Sequence, residues 1–498
     1  MKNTNYKNHK MGGQAIASGG FGCVFSPALK CKGSKKIEKA KISKLMIIKY
    51  AEQEFDEINK IKKKLDSIKD YTNFFLLNDI TKCKINPLTS SDLKDFDKKC
   101  KALPKNNINK KNINEKLDKI MAINIPNGGI PVDDYIYENE SFSQIYKLHN
   151  SLVNLLKKGI VPMNQKNIYH NDIKDSNVLV IEEPTNQHQI KTRLIDWGLT
   201  TEYIPFENNP FPSKWRNRPL QFNVPFSIII FTDAFVEKYT EFIEENGEEK
   251  NIKEETRLKN FVINYLSFWM KERGEGHYKF INEVMYTLFQ NDLTDKTRET
   301  KAKLIETQMT MNYIINYIVN VLQHFTKFRA DGSLNLRHYL DNVFIKIVDI
   351  WGFIFTYYPL VELLGNNYSV LSENELKIFN KLKYIFISYL FEPRNEEFEM
   401  DKLYSDLEDL GNLINKTKDK SKKDNVTGSK KNTFSKLNKS SKSSKSNKSS
   451  KSNKSIKSNK SIKSNKSIKS IKSNKSSISF KRISKKSIFK KPFLIDLK

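Results

Sequence analysis

Cysteine is scarce in this chain, four in 498 residues, and no two stand in a C-x-x-C pair. Cys23, Cys31, Cys83 and Cys100 thus give no zinc-binding spacing, and reduced thiols in a cytosol-like compartment are expected. The N-terminus lacks the apolar core of a secretory signal. The most apolar long stretch, 343–364, is broken by Lys346, Asp349 and Glu362, which favours a buried core helix over a membrane span. No transmembrane segment and a cytoplasmic location are therefore expected.

Acidic residues are also few, 57 against 86 Lys and Arg, for a formal charge of +29. The excess is uneven: 416–498 holds 27 Lys and one Arg against three Asp, so it carries +25 and leaves +4 for the rest. Any affinity for nucleic acid or another polyanion accordingly belongs to the tail rather than to the folded body. That tail is Lys and Ser with a KSNKSI-like repeat and almost no aromatic residues, a composition that cannot bury a core. Disorder is expected over 411–498 and over the polar residues 1–11.

What is present is concentrated in IYHNDIKDSNVLV (168–180) and TRLIDWGLT (192–200), a strand-loop-strand pattern. Asp172, two residues after His170, can orient a substrate hydroxyl, and Lys174 can neutralise a migrating phosphate. Asn177 can hold a metal ion, and Asp196, ahead of Gly198, can clamp Mg²⁺ against nucleotide phosphates. A lone histidine is most often a hydrogen-bonded core residue, so His170 counts only for its company.

Around this centre the periodicity changes. Residues 51–65 have helical spacing with Ile58, Ile61 and Leu65 on one face, and 141–159 form a second amphipathic helix, stopped by Gly159 and Pro162. FFLL (74–77) and KIMAINI (119–125) read as short strands, and the Lys- and Asn-rich segment 81–114 between them reads as an insertion. Beyond Pro225 the pattern is mostly helical, including 258–271, 279–290 and 312–328. Strands first and helices later make an α+β protein.

Together these motifs resemble the eukaryotic-type Ser/Thr protein kinase family. The resemblance covers about 12–400 and implies a bilobal fold, with a small β-rich lobe over 12–126 and a larger helical lobe over 127–410. It implies ATP and Mg²⁺ as cofactors and a protein substrate. Within GGQAIASGGFGCVF (12–25), Ser18, Gly19, Gly20 and Gly22 would bring backbone N–H groups to the phosphates, while Phe21 covers them and Val24 touches the base. A plain hairpin is the commoner origin of such a glycine cluster. Ala17 stands where the family has Gly. Lys44 would reach the α and β phosphates, oriented by Glu54, with Glu57 as the alternative.

The interlobe linker would be 123–129, where Pro126 replaces the usual backbone donor to adenine. Asp133 or Asp134 would bond ribose or be solvated turn carboxylates. Asn171 replaces the family's Arg and Trp197 its Phe, 211–227 lacks the Ala-Pro-Glu signature, and 228–340 would be a helical insertion. The Asp349 helix resembles the one whose buried carboxylate bonds the catalytic loop. The insertions and the divergent 211–227 platform resemble kinases of giant cytoplasmic DNA viruses (mimivirus-like), which implies host cytoplasm or virion. Three rival readings stand beside this one: a small-molecule kinase of the aminoglycoside or choline type, a pseudokinase scaffold, and a nucleic-acid-associated protein acting through its tail.

Overall fold

Alternation in KISKLMI and the apolar run IMAINI build an antiparallel sheet at the N-terminal end of a mixed α+β molecule. Its strands are β1 (Gln14–Ser18), β2 (Gly22–Ser26), β3 (Lys41–Ile47), β4 (Thr81–Cys83) and β5 (Ile120–Pro126), in the order β1-β2-β3-β5-β4. The computed structural model describes residues 13–34, 36, 38–182, 189–207, 211–246, 251, 253–326 and 336–424. The expected disorder of 1–11 and of the tail from 425 onward lies outside the described residues.

Helix α1 (Ile48–Leu65) follows β3 directly and buries Ala51, Ile58, Ile61 and Leu65, the face that its spacing foretold. FFLL does not become a strand. Its backbone bonds the end of a later strand instead, Leu76 N–H to Leu194 O at 3.1 Å and Leu194 N–H to Phe74 O at 2.8 Å, and Phe75 packs on Trp197. A four-residue apolar run lacks the length that would separate a strand from a buried connector.

The segment 81–114 is more than a polar interruption. After β4 it runs through short turns whose Ile85, Leu88, Leu93, Phe96, Leu103, Ile108 and Ile113 share one core with Phe25, Leu45 and Ala122 of the sheet. Two disulfides fasten it there, Cys23–Cys100 and Cys31–Cys83. The expectation of reduced thiols is thus corrected: folding pairs cysteines 77 and 52 residues apart, a proximity that sequence spacing does not express.

The helix begun at Phe142 is capped by Ser141, whose side chain accepts from Gln144 N–H. It passes Gly159 and Pro162 instead of stopping, through a wide turn over Leu156–Ile160 and a last turn over Val161–Gln165. Pro162 lacks the N–H that would reach back to the preceding turn, and the wide turn over Leu156–Ile160 lies directly before it. β6 (Ile130–Pro131) precedes this helix, and β7 (Ile168–Tyr169), β8 (Val178–Glu182), β9 (Ile190–Leu194) and β10 (Thr201–Glu202) follow it, with β6-β8-β9 and β7-β10 paired.

The C-terminal part is helical. Glu255–Arg273 covers the helix expected over 258–271, Tyr278–Phe289 ends one residue short of the one expected over 279–290, and Met311–Phe325 ends before 328, of which 327 and 328 lie outside the described residues. Arg337–Asn366 is long and apolar enough to cross a membrane, but 89% of its most apolar window is buried inside the protein, as a core helix requires. The last helix, Met400–Asp424, crosses the tail boundary drawn after 410, with Ile414 buried alongside Leu403, Leu407 and Leu410. Residues 411–417 therefore pack with the folded part, with Thr417 also buried.

Candidate functional site

The loop between β7 and β8 carries His170, Asp172, Lys174 and Asn177, and a buried carboxylate from a distant helix fixes its backbone. Asp349, on Ile345–Phe355, accepts from His170 N–H and Asn171 N–H, both at 2.8 Å, and from Asn164 Nδ2 at 2.7 Å. Burial pushes the Asp349 carboxyl up, against the pull of His170 and these donors. Asn171 takes a left-handed φ of 61°, which asparagine tolerates, and its amide bonds Tyr169 O and Leu199 O. His170 Nε2 lies 3.0 Å from Ile195 O, so that nitrogen carries the proton, and the ring packs edge-on against Trp197. Its part is to tie the two motif loops together.

Four donor contacts converge on Asp172. Oδ1 accepts from Lys174 Nζ (3.0 Å) and Asn223 Nδ2 (2.8 Å), and Oδ2 from Lys174 Nζ (2.8 Å) and Asn177 Nδ2 (2.9 Å). Burial alone would raise this carboxyl; Lys174, Asn223 and His170 outweigh it and hold Asp172 below the usual carboxylate range. Asn177 Nδ2 also donates to Asp172 O at 2.7 Å.

The second cluster belongs to the sheet. Lys44 on β3 ion-pairs with Glu54 on α1, with Nζ 2.7 and 2.8 Å from the two carboxylate oxygens and each side chain 17% exposed. Glu57, the alternative, instead pairs with Lys214, which also donates to Thr200 O. Burial works against the Lys44 charge, but the carboxylates of Glu54 and Asp196 keep its pKa raised. Asp196 is exposed and sits at φ 65°, ψ 71°, just before the Trp197–Leu199 turn that lies against α1.

Gly19, Gly20 and Phe21 form the turn between β1 and β2, with Ser18 and Gly22 at the strand ends that flank it. Gly19 N–H donates to Gly22 O at 2.9 Å, Gly20 has open space around it, and Phe21 is 62% exposed beside Tyr50. Gly22 is required by packing: a Cβ there would stand 2.6 Å from Met46. Ala17 pairs with Val24, and Val24 in turn with Lys44, so the turn and the Lys44 ammonium share one end of the sheet. In the linker Pro126 offers no N–H, and that of Asn127 is spent on Ala40 O at 2.9 Å. Asp133 and Asp134 open the helix Val132–Glu138, Asp133 half-buried and Asp134 exposed.

A Mg²⁺ site can be tested against these residues. Among the described residues no group of three or more His, Cys, Asp or Glu gathers as a metal cage. Asn177 and Asp196 are brought close by Ile195 N–H donating to Asn177 O at 3.0 Å. With Nδ2 of Asn177 committed to Asp172, its amide oxygen remains for a cation, beside one exposed carboxylate. That pair fits a hard cation whose other ligands are phosphate oxygens and water.

Three residues gathered around Asp172 carry no signal in the sequence. Asn223 holds Asp172 and also donates to Ile173 O at 3.3 Å. Arg218 is buried and donates from Nη2 to Asn171 O at 3.2 Å; burial lowers its pKa to about 10, against the opposing pull of Asp172. The His277 backbone N–H donates to Leu220 O at 2.8 Å, and burial followed by the Lys174 charge lowers the pKa of its imidazole to about 4. Its neighbour Gly276 has φ +56°, and a Cβ there would meet Leu220 O at 2.2 Å, so only glycine lets this loop close on 218–223. None of the three lies in a motif, and each is supplied by tertiary packing. No family model matches the chain, and no curated protein matches it.

Proposed function

We propose that this protein is a kinase of bilobal architecture that transfers the γ-phosphate of Mg-ATP to Ser or Thr hydroxyls of a protein substrate. The observation that carries this reading is the meeting of its two charged clusters: Lys44, paired to Glu54, also lies in the field of Asp196, which borders the Asp172 loop through Asn177. Mg-ATP, when bound, supplies the phosphoryl group and the metal charge. Lys44 and the backbone of Ser18–Gly22 would hold its phosphates, and Asn177 and Asp196 its metal.

Asp172 is the group to accept the acceptor hydroxyl's hydrogen bond, yet four donor contacts already occupy its oxygens. One must yield. Lys174 is 24% exposed whereas Asn177 and Asn223 are buried, so Lys174 is the donor free to leave. Released, its ammonium faces the charge that develops during transfer. The test is transfer from labelled Mg-ATP to the chain itself and to a basic protein, native against Asp196→Asn. Loss of transfer in the variant is expected; equal transfer by both would overturn the assignment.

A pseudokinase scaffold is the second reading. It is favoured by the saturated Asp172 carboxylate and by the absence of a free linker N–H at Pro126 and Asn127. Nucleotide binding without transfer in either protein would put it ahead. Polyanion binding by the Lys- and Ser-rich tail is a separate proposal that rests on composition, and a steep loss of binding with salt checks it.

A further inference from the structure

We propose that the Cys23–Cys100 disulfide is a thiol-exchange site that sets the order of the glycine turn and through it the affinity for nucleotide, an inference that rests on reading Ser18–Gly22 as the phosphate cradle. Cys23 follows Gly22 directly and is the strand partner of Ser18. Cys100 precedes Lys101 and Ala102, whose N–H groups both donate to Ser18 Oγ, at 3.0 and 3.1 Å. The 81–114 segment therefore grips both sides of the turn, by a covalent bond on β2 and by a pair of hydrogen bonds on β1. A glycine-rich turn otherwise loses much conformational freedom when it closes on phosphates. Held this way, it has already lost that freedom before a ligand arrives.

The two disulfides differ in access. Cys23 and Cys100 are fully buried under the segment, whereas Cys31 and Cys83 are partly exposed beside edge strand β4. A dithiol reductant is the co-reactant. Its thiolate attacks one sulfur to form a mixed disulfide, and the other protein sulfur leaves and takes up a proton. The reductant's second thiol then closes on the first and releases the remaining cysteine as a thiol. Each bond thus takes two electrons and two protons, and the reductant ends as its own disulfide. Cys31–Cys83 is the less buried of the two, while Cys23–Cys100 becomes accessible only when 81–114 lifts from the sheet.

The experiment uses the full chain in a dithiol buffer and in a glutathione disulfide buffer, with free thiols counted by alkylation and mass. Amide exchange over residues 17–24 and the Kd for Mg-ATP are then measured in each state. With four thiols free, exchange over 17–24 should accelerate and Kd should rise about fivefold or more. By the same linkage, Mg-ATP should slow alkylation of Cys23 and Cys100. The double variant Cys31→Ser with Cys83→Ser keeps the other disulfide and should retain the slow exchange of the oxidised protein, so it serves where Cys23→Ser or Cys100→Ser fails to fold. Unchanged exchange and Kd with all four thiols free would overturn the proposal, as would tighter binding on reduction. No nucleotide binding in either state would overturn the kinase reading, while the exchange data still decide whether the disulfide orders the turn.

Discussion

The N-terminal sheet region and the helical region hold their candidate functional groups by opposite means. Residues 13–126 carry 24 Lys and no Arg against 13 acidic residues, while 127–415 carry 31 Lys and Arg against 41 acidic residues. The small net charge of the body thus conceals two regions of opposite sign. In the first, Lys44 is held by a single ion pair, beside a turn that a disulfide-fastened segment keeps in place. In the second, Asp172 sits in a buried hydrogen-bond network fed by Asp349, Arg218, Asn177 and Asn223. A group held by one pair can re-aim when its partner moves. A group held by a network stays put until the network breaks, so the helical region should be the rigid half of the site.

The sharpest way to break that contrast is Asp349→Ala. It leaves the N–H groups of His170 and Asn171 without their buried acceptor and removes one of the two acceptors of Asn164 Nδ2, which keeps Ile168 O. At about 1–3 kcal/mol for each orphaned donor, a loss of about 3 kcal/mol or more in urea unfolding is expected, together with loss of transfer. Glu54→Gln should cost less, about 1 kcal/mol, because Lys44 keeps partial access to solvent and to Asp196. Its main effect should be on nucleotide affinity. If Glu54→Gln destabilised the fold as much as Asp349→Ala, the contrast between a single pair and a network would be gone.

What could be read from the sequence follows from how local each feature is. Helices with sustained 3.6 periodicity, such as α1 and Glu255–Arg273, were legible, and so was the grouping of Asp172, Lys174 and Asn177 on one loop. The Lys44–Glu54 pair and the Asp349 anchor were reached only through family resemblance, and here they are contacts. The disulfides were missed because pairing across 77 and 52 residues leaves no spacing signal. The core of 81–114 was missed because its apolar residues ride on short turns with neither a two- nor a 3.6-residue period. Asn223, Arg218 and His277 are ordinary residue types whose roles arise only when 211–227 and the Gly274–His277 loop fold over Asp172.

Asn223→Ala sharpens the comparison from inside the network. It removes one of the four donor contacts to Asp172 and leaves Lys174 as the sole remaining donor to Oδ1. A stability loss of about 1 kcal/mol is expected, with a fall in kcat larger than any change in KM for nucleotide. A variant that bound nucleotide poorly and turned over normally would show that Asn223 serves the sheet side of the site instead.

The smallest effect is one of pH. Asp175, beside Lys174, has its pKa raised to about 7, first by burial and then by the nearby Asp133 carboxylate. A carboxyl whose pKa is higher in the folded state than its ordinary 3.8 contributes stability below that value and loses it as pH climbs toward about 7. Unfolding midpoints in urea at pH 4, 5.5 and 7 should therefore show a downward contribution with rising pH that Asp175→Asn removes. Asp172, held below the usual range, contributes with the opposite sign, and its share is lost only in acid. The two neighbouring carboxyls of one loop thus titrate in separate windows. If Asp175→Asn left the profile between pH 4 and 7 unchanged, Asp175 would be ionised throughout, and Lys174 would be shared between two carboxylates instead of reserved for Asp172.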